Sequence, residues 1–269
     1  MTPASKNALP FVLFEAGKGL YAVSAGFVRE ILLLPVVVRV PNAPPGIRGV
    51  VNVRGRVLKL VDLRVVLGAA SARSEVDGLI QLLQEREQDH RNWLTELDAC
   101  VRERRPFKLA RDPHKCKFGL WYDQYRNQEQ SIQAVFFRMA LRKMEGPHRI
   151  IHACADDVLN LAQSGDFEQA LGLLQKRQNC ELAAMVKLFE ESRGILKDSC
   201  REFVIVLANG AKEFAMCADS VQSVEHIPIE NIETDGIGGT NWQVAQRAKT
   251  RQTVLLLKAG FLFANGAAN

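Results

Sequence analysis

Apolar positions change their spacing twice along this chain. From residue 10 to 68 they come in short β-branched or alternating runs closed by turn residues. Phe11-Val12-Leu13-Phe14 and Leu20-Tyr21-Ala22-Val23 flank Gly17-Lys18-Gly19, which predicts a hairpin. Val36 to Val40 is β-branched, and Pro41-Asn42-Ala43-Pro44-Pro45-Gly46 must be a loop because Pro cannot sit in a central strand. Ile47 to Val53 and Val57 to Val61 predict strands around Arg54-Gly55-Arg56, and Asp62 to Gly68 a short helix or turn. From Glu75 the spacing becomes helical: Val76, Leu79, Ile80, Leu83, then Trp93, Leu94, Leu97 and Val101. A second helix is expected over 118–144 and a third after Gly146-Pro147, with Pro147 in its first turn and its end at Ser164-Gly165. A fourth is expected from an Asp166 cap to about Leu196. Four helices suggest a bundle. Strand texture returns after residue 200: Phe203 to Leu207, Glu213 to Cys217, Ser220 to Val224, Thr253 to Leu257 and Phe261 to Phe263, with a hairpin turn at Asn209-Gly210.

The pattern predicts a multidomain α+β chain. An all-α block, residues 76–195, interrupts a β-rich domain made of residues 1–75 and 196–269. Three separate domains would leave each β piece small for its own core. With 47% hydrophobic residues in 269, a packed core is expected. The longest apolar run, Ile31 to Val38, is broken by Pro35 and far short of the roughly 20 residues of a membrane helix, so a soluble chain without membrane insertion is expected. Six scattered Cys in a chain this long point to reduced thiols and a cytoplasmic setting.

Chemistry concentrates in the helical block. His90, Cys116, His148 and His152 are four nitrogen and sulfur donors, the number and type that tetrahedral zinc takes. His148 and His152 are spaced i, i+4 and share a helix face. Gly119 would let the backbone bend around Cys116, and Trp93, Phe118 and Trp121 could wall off water. His114 is a rival ligand, and Asp89, Asp156 or Asp157 could hold the second nitrogen of a ligand His. Cys100, Cys154, Cys180, Cys200 and Cys217 read as small buried hydrophobes. Four protein donors leave no position for water, and Arg149 stands where a zinc protease carries its Glu base. No catalytic residue is assigned, and no enzyme is expected.

Together with their companions, these residues form His90/Trp93, Cys116/Phe118/Gly119/Trp121 and His148/His152. That pattern resembles the chemoreceptor zinc-binding (CZB) family, a four-helix bundle. The resemblance implies zinc held by three His and one Cys, a link to zinc or oxidant sensing, and a homodimer through the insert. The β halves resemble CheW, the chemotaxis coupling protein. The resemblance rests on Phe27-Val28-Arg29-Glu30-Ile31, Arg39 to Pro44, Ile47 to Gly55 and Leu60-Val61-Asp62-Leu63-Arg64, and more loosely on Asp219 to Val224 with Ile227-Pro228. Residues 236–251 depart from the family pattern. The resemblance implies two five-stranded β-barrels without a catalytic site, surfaces for the histidine kinase CheA and a chemoreceptor tip, and an interface role for Arg54, with Val28, Ile31 and Val36 as further interface candidates.

Three readings follow. One is an adaptor whose insert senses zinc or oxidants. Another is a constitutive adaptor with a purely structural zinc. A third is nucleic-acid binding by Arg102, Arg104, Arg105, Lys108, Arg111, Lys115 and Lys117 beside Phe107, Trp121 and Tyr122. Residues 102–126 hold the chain's whole net charge of +5, and the remainder is balanced. A charge run is ordinarily a solvated face, and no nucleic-acid partner is expected.

Overall fold

A computed structural model describes residues 7–127, 134–233, 241–247 and 250–266. The chain divides into two units, one of Met1–Glu75 with Arg201–Asn269 and one of Val76–Cys200.

The β unit opens with β1 (Ala8–Ala16), β2 (Gly19–Ser24), β3 (Val28–Leu33), β4 (Val37–Val38), β5 (Ile47–Val53) and β6 (Arg56–Asp62), then the short helix α1 (Leu63–Val66). Past the helical unit come β7 (Phe203–Asn209), β8 (Lys212–Ala218), β9 (Ser220–Pro228), β10 (Ile232–Glu233), β11 (Trp242–Gln246) and β12 (Thr253–Leu257). The strands form two six-stranded sheets, in the orders β10-β11-β12-β2-β1-β9 and β3-β7-β8-β6-β5-β4. Each sheet mixes strands from both ends of the sequence. The β1–β2 hairpin joins β9–β12, and the β7–β8 hairpin joins β3–β6. Four pairings join strands from the two ends: the parallel pairs β12–β2 and β6–β8 and the antiparallel pairs β1–β9 and β3–β7. The unit is thus a repeat whose hairpins have changed places. Six strands per sheet, where five were expected, arise because the two-residue β4 and β10 add one edge to each.

Both sheets curl. β3 and β4 lie on opposite edges, yet only Leu34, Pro35 and Val36 join them. A flat six-stranded sheet separates its edges by about 24 Å, whereas that link reaches no more than about 14 Å. Ile229–Asn231 imposes the same limit between β9 and β10. Curling gives central strands such as β1, β7 and β8 two buried faces. Phe11 and Leu13 pack inside one sheet with Ile227 and Leu256, while Val12 and Phe14 meet Ile205, Phe214 and Met216 of the other. Val51, Leu60, Val204 and Cys217 line the inside of the second sheet. Strands buried on both faces read as unbroken apolar runs, as in Val204–Leu207.

Two motifs that carried the resemblance are internal fasteners here. Arg48 forks onto the buried Glu202 at 2.7 Å, and Arg64 bridges Asp219 and Glu75, each at 2.6 Å. Phe261–Phe263, expected as a strand, lies in helix α8 (Ala259–Gly266), where Leu262 and Phe263 fill the core beside Phe27 and Phe214. A run of three apolar residues cannot separate a strand from a buried helical turn. The β7–β8 turn is Gly210-Ala211, since Asn209 pairs with Lys212. Of the divergent stretch 236–251, residues 236–240 and 248–249 lie outside the described residues.

The helical unit contains α2 (Ala72–Glu103), which begins four residues before it, then α3 (Lys117–Arg126), α4 (Ala134–Lys143), α5 (Glu145–Gln163), α6 (Phe167–Arg177) and α7 (Ala183–Ser199). The four expected helices are therefore six segments. The second is described as α3 and α4, with residues 128–133 outside the described residues. The fourth is interrupted by a π-helical turn at Gln178–Leu182. Pro147 falls in the first turn of α5. Leu83, Leu94, Leu97, Phe118, Leu141, Ile151, Val158 and Phe189 form one core.

Candidate metal centre

Three elements converge on one point. His90 lies midway along α2, His148 and His152 occupy successive turns of α5, and Cys116 caps α3. One donor atom from each lies within 4.8 Å of the others, and the three rings are buried. Zinc–donor bonds of 2.0–2.3 Å put tetrahedral donors about 3.3–3.8 Å apart, so small ring rotations would bring all four into range.

The hydrogen bonds say which atoms are available. His90 donates from Nδ1 to the Arg86 carbonyl at 2.6 Å, and His152 donates from Nδ1 to the Ala110 carbonyl at 3.2 Å. Each Nε2 therefore carries a lone pair, and neither Nε2 has a hydrogen-bond partner among the described residues. His148 Nε2 lies 3.2 Å from Cys116 Sγ. Buried lone pairs without donors are costly, and a cation removes that cost. The donor set fits zinc on these grounds.

Burial sets the electrostatics. It pushes His148 down to about 2, with His90, His152 and His114 adding like-charge repulsion. It pushes His152 down to about 4, again with His90 repulsion. His90 is lowered by burial too. All three are neutral at pH 7, the form that ligates metal. Burial raises the Cys116 thiol, while the N–H groups of Gly119 and Phe118 at the start of α3 pull it down. The Gly119 N–H lies 3.2 Å from Sγ.

Gly119 has a steric role that the sequence reading stated only as flexibility. A Cβ there would lie 1.9 Å from the Pro113 carbonyl oxygen, which is rigid backbone. Gly119→Ala should force the 113–116 segment off α3, carry Cys116 away from the rings and weaken zinc affinity by about tenfold or more, the range for disturbed support of a ligand. Competition with a chromophoric chelator measures it; unchanged affinity would show that the close approach is dispensable.

Other residues near the cluster differ in how they relate to it. Asp89, Asp156 and Asp157 hold no ligand ring; backbone carbonyls do, while Asp89 pairs with Arg86 and Lys117, and Asp156 with Arg111. His114 stands outside the cluster, 67% exposed and bound to Asp123 at 2.8 Å. Trp93 and Phe118 do pack on the rings, at 4.9 Å from His152 and 5.0 Å from His148, whereas Trp121 stacks on Tyr125. Phe189 of α7, which nothing in the sequence singled out, completes the wall against His90 and Phe118. Cys100, Cys154 and Cys217 are buried as expected, but Cys180 is exposed on the π turn and Cys200 is half-buried.

Residues 10–90 match the family model of the CheW-like domain, and residues 90–159 match that of the chemoreceptor zinc-binding domain. The chain carries a CheW-like domain and a CZB domain. Zinc is accordingly the cofactor for which the His and Cys cluster is suited. The CZB match begins at His90 and includes all four donors. No curated protein matches the chain. Among solved structures it is similar to the scaffolding protein TtCheW from Thermoanaerobacter tengcongensis, at 11% identity over 95% of this chain and 92% of that one, with a TM-score of 0.43. CheW-like and CZB domains are signalling and scaffold domains rather than enzymes.

The interface candidates of the CheW-like part differ among themselves. Arg54 sits at the tip of the β5–β6 hairpin with φ of 51°, is 82% exposed, and pairs with Glu30 at 2.9 Å. Ile31 is 39% exposed and Val36 86%. Val28 packs half-buried against the shared core. The basic segment is largely matched locally: Arg102 by Asp98, Arg105 by Glu96, Arg111 by Asp156 and Lys117 by Asp89.

Proposed function

We propose that this chain is a cytoplasmic chemotaxis adaptor that couples chemoreceptors to the histidine kinase CheA, and that its helical unit makes the coupling responsive to zinc or oxidants. In this reading the CheW-like domain is interrupted rather than followed by the CZB unit: residues 1–75 and 201–269 make one adaptor, and 76–200 is the insert. The pairing of strands from both sides of the insert supports this. Among the described residues no helix is long and apolar enough to cross a membrane.

The observation that carries the sensor reading is the convergence of His90, Cys116, His148 and His152, with two Nε2 lone pairs buried and unpartnered. These four would hold zinc, which supplies a positive charge that fixes the three helices and keeps Cys116 as thiolate. Cys116 is the only oxidisable donor of the four. Its two-electron oxidation by a peroxide to a sulfenic acid replaces a strong donor by a poor one. Loss of that donor would loosen α3 from α2 and α5. Exposed Arg54, Ile31 and Val36 are the proposed contacts for kinase and receptor, and a homodimer through the insert belongs to the same proposal.

Zinc content and affinity of the purified chain, with Cys116→Ala and His152→Ala alongside, test it before and after hydrogen peroxide. The same samples are scored for binding to CheA and a receptor fragment. One zinc per chain, weakened in both variants and released on oxidation together with a change in kinase binding, is the expected result. Zinc retained through oxidation leaves a structural ion in a constitutive adaptor. Absence of zinc from metal-replete protein overturns the assignment of these ligands.

A further inference from the structure

The helical unit also holds a cavity of about 490 Å³ that does not include the four donors. Val101, Phe107, Leu159 and Phe167 give it apolar lining, and Arg104, Asp156, Asn160 and Gln163 give it polar lining. That size and mixed lining, apolar side chains beside charged and amide groups, suits a small amphipathic molecule.

Arg104 is the unusual member. It follows the last turn of α2 with φ of 54°. Its N–H donates to the Val101 carbonyl, and the Arg105 N–H donates to the Cys100 carbonyl. These bonds define the helix-ending turn in which Gly is the preferred residue at this position. A side chain other than Gly is disfavoured in this left-handed conformation, and strain of this kind persists where a side chain serves a purpose. The guanidinium carbon lies 4.6 Å from the centre of the Phe167 ring. Two other arginines border the cavity, but both are neutralised: Arg105 by Glu96 and Glu103, Arg111 by Asp156 at 2.6 Å. Arg104 has no carboxylate partner among the described residues. Its charge is therefore open to an anion from outside, beside the apolar side chains of the lining.

We propose that this cavity binds a small aromatic carboxylate, with the carboxylate on the Arg104 guanidinium and the ring against Phe107, Leu159 and Phe167. Arg pairs with carboxylates through two parallel hydrogen bonds and stacks on aromatic faces at the same time. The loop that carries Phe107 and Arg111 also carries Ala110, whose carbonyl accepts from both His152 and Trp93. An occupant of the cavity thus rests on the segment that supports the metal centre. The binding proposal itself does not depend on zinc.

The probe is 2-naphthoate, titrated into the whole chain with chemical shifts or calorimetry as readout, beside neutral 2-naphthamide. The informative variant is Arg104→Gly. It removes the charge and relieves the backbone, so its melting temperature should be unchanged or higher. Saturable naphthoate binding, at least about tenfold weaker for the amide and for Arg104→Gly, is the expected result for a charge-assisted contact. The proposal is overturned by any of three results: no saturable binding up to millimolar concentrations, equal binding of the amide, or undiminished binding by Arg104→Gly.

Discussion

Stripped of metal, the helical unit should unfold in mild acid, and zinc should move that transition to lower pH. In the folded apo state His148 titrates at about 2 and His152 at about 4, and His90 is also depressed, all chiefly through burial. In the unfolded chain each has the ordinary value near 6.5. Between those limits the unfolded chain binds more protons, so stability rises with pH and falls as acid is added. The loss begins as pH drops through about 6.5, and each His contributes up to about 1.4 kcal/mol per pH unit. His148 and His152 together approach about 3 kcal/mol per unit between about pH 5.5 and 4, and His90 adds in the same direction. For a domain stable by about 5–15 kcal/mol, that loss is a large share of the total. Cys116 has the opposite sign. Its folded value is raised, so its contribution is complete below the unfolded value near 8.5 and lost as pH rises beyond it. The apo unit is therefore most stable near pH 7–8.

Zinc competes with these protons for the same lone pairs. At a thousandfold excess over its dissociation constant it adds about 4 kcal/mol, enough to shift the acid transition down by about one pH unit. Helical circular dichroism against pH, with zinc and with chelator, measures both effects. His148→Leu should flatten the apo dependence, since it removes the most strongly suppressed of the titrations that carry a value. An apo helical signal constant from pH 7 to 4 would contradict a buried cluster of neutral rings.

The separation between what the sequence disclosed and what it concealed follows the range of the forces involved. His148 and His152 were readable as a pair because helical periodicity alone puts them on one face. The hairpins at Gly17-Lys18 and Arg54-Gly55 were readable because tight turns limit which residues can occupy them. Bringing His90 and Cys116 to the same point needed the resemblance to CZB, since no local rule joins α2 to α3. The carbonyls of Arg86 and Ala110, which fix the imidazole tautomers, had no signal at all, because every residue has a carbonyl. Phe189 was hidden for a related reason: among many apolar helix positions, only the packing of α7 shows which one meets the metal site. Most hidden was the exchange of hairpins between the two sheets. It is a matter of long-range pairing, and strand propensity says nothing about partners.

That exchange makes the second large prediction. A chain ending at Cys200 should have no folded β unit, although it retains six of the twelve strands and the whole segment, residues 10–90, that matches the CheW-like model. Without residues 201–269, β1 loses β9, β2 loses β12, β3 loses β7 and β6 loses β8. What remains is an isolated β1–β2 hairpin, an unpartnered β3 and the three strands β4, β5 and β6. A lone hairpin is marginal at best in water. Val12, Phe14, Leu60 and Val61, buried in the complete unit, would face solvent, and exposure of such side chains costs about 1.5–3 kcal/mol each. The helical unit keeps its own core and all four donors in the shortened chain. Limited proteolysis should therefore digest residues 1–75 rapidly and leave a resistant fragment near 76–200 that still binds one zinc. If residues 10–75 instead resist proteolysis and keep their strand signal in the shortened chain, the CheW-like domain is complete before the helices and the interrupted-domain proposal fails. Either result is independent of the zinc chemistry, because the sheet pairing and the donor cluster rest on different residues.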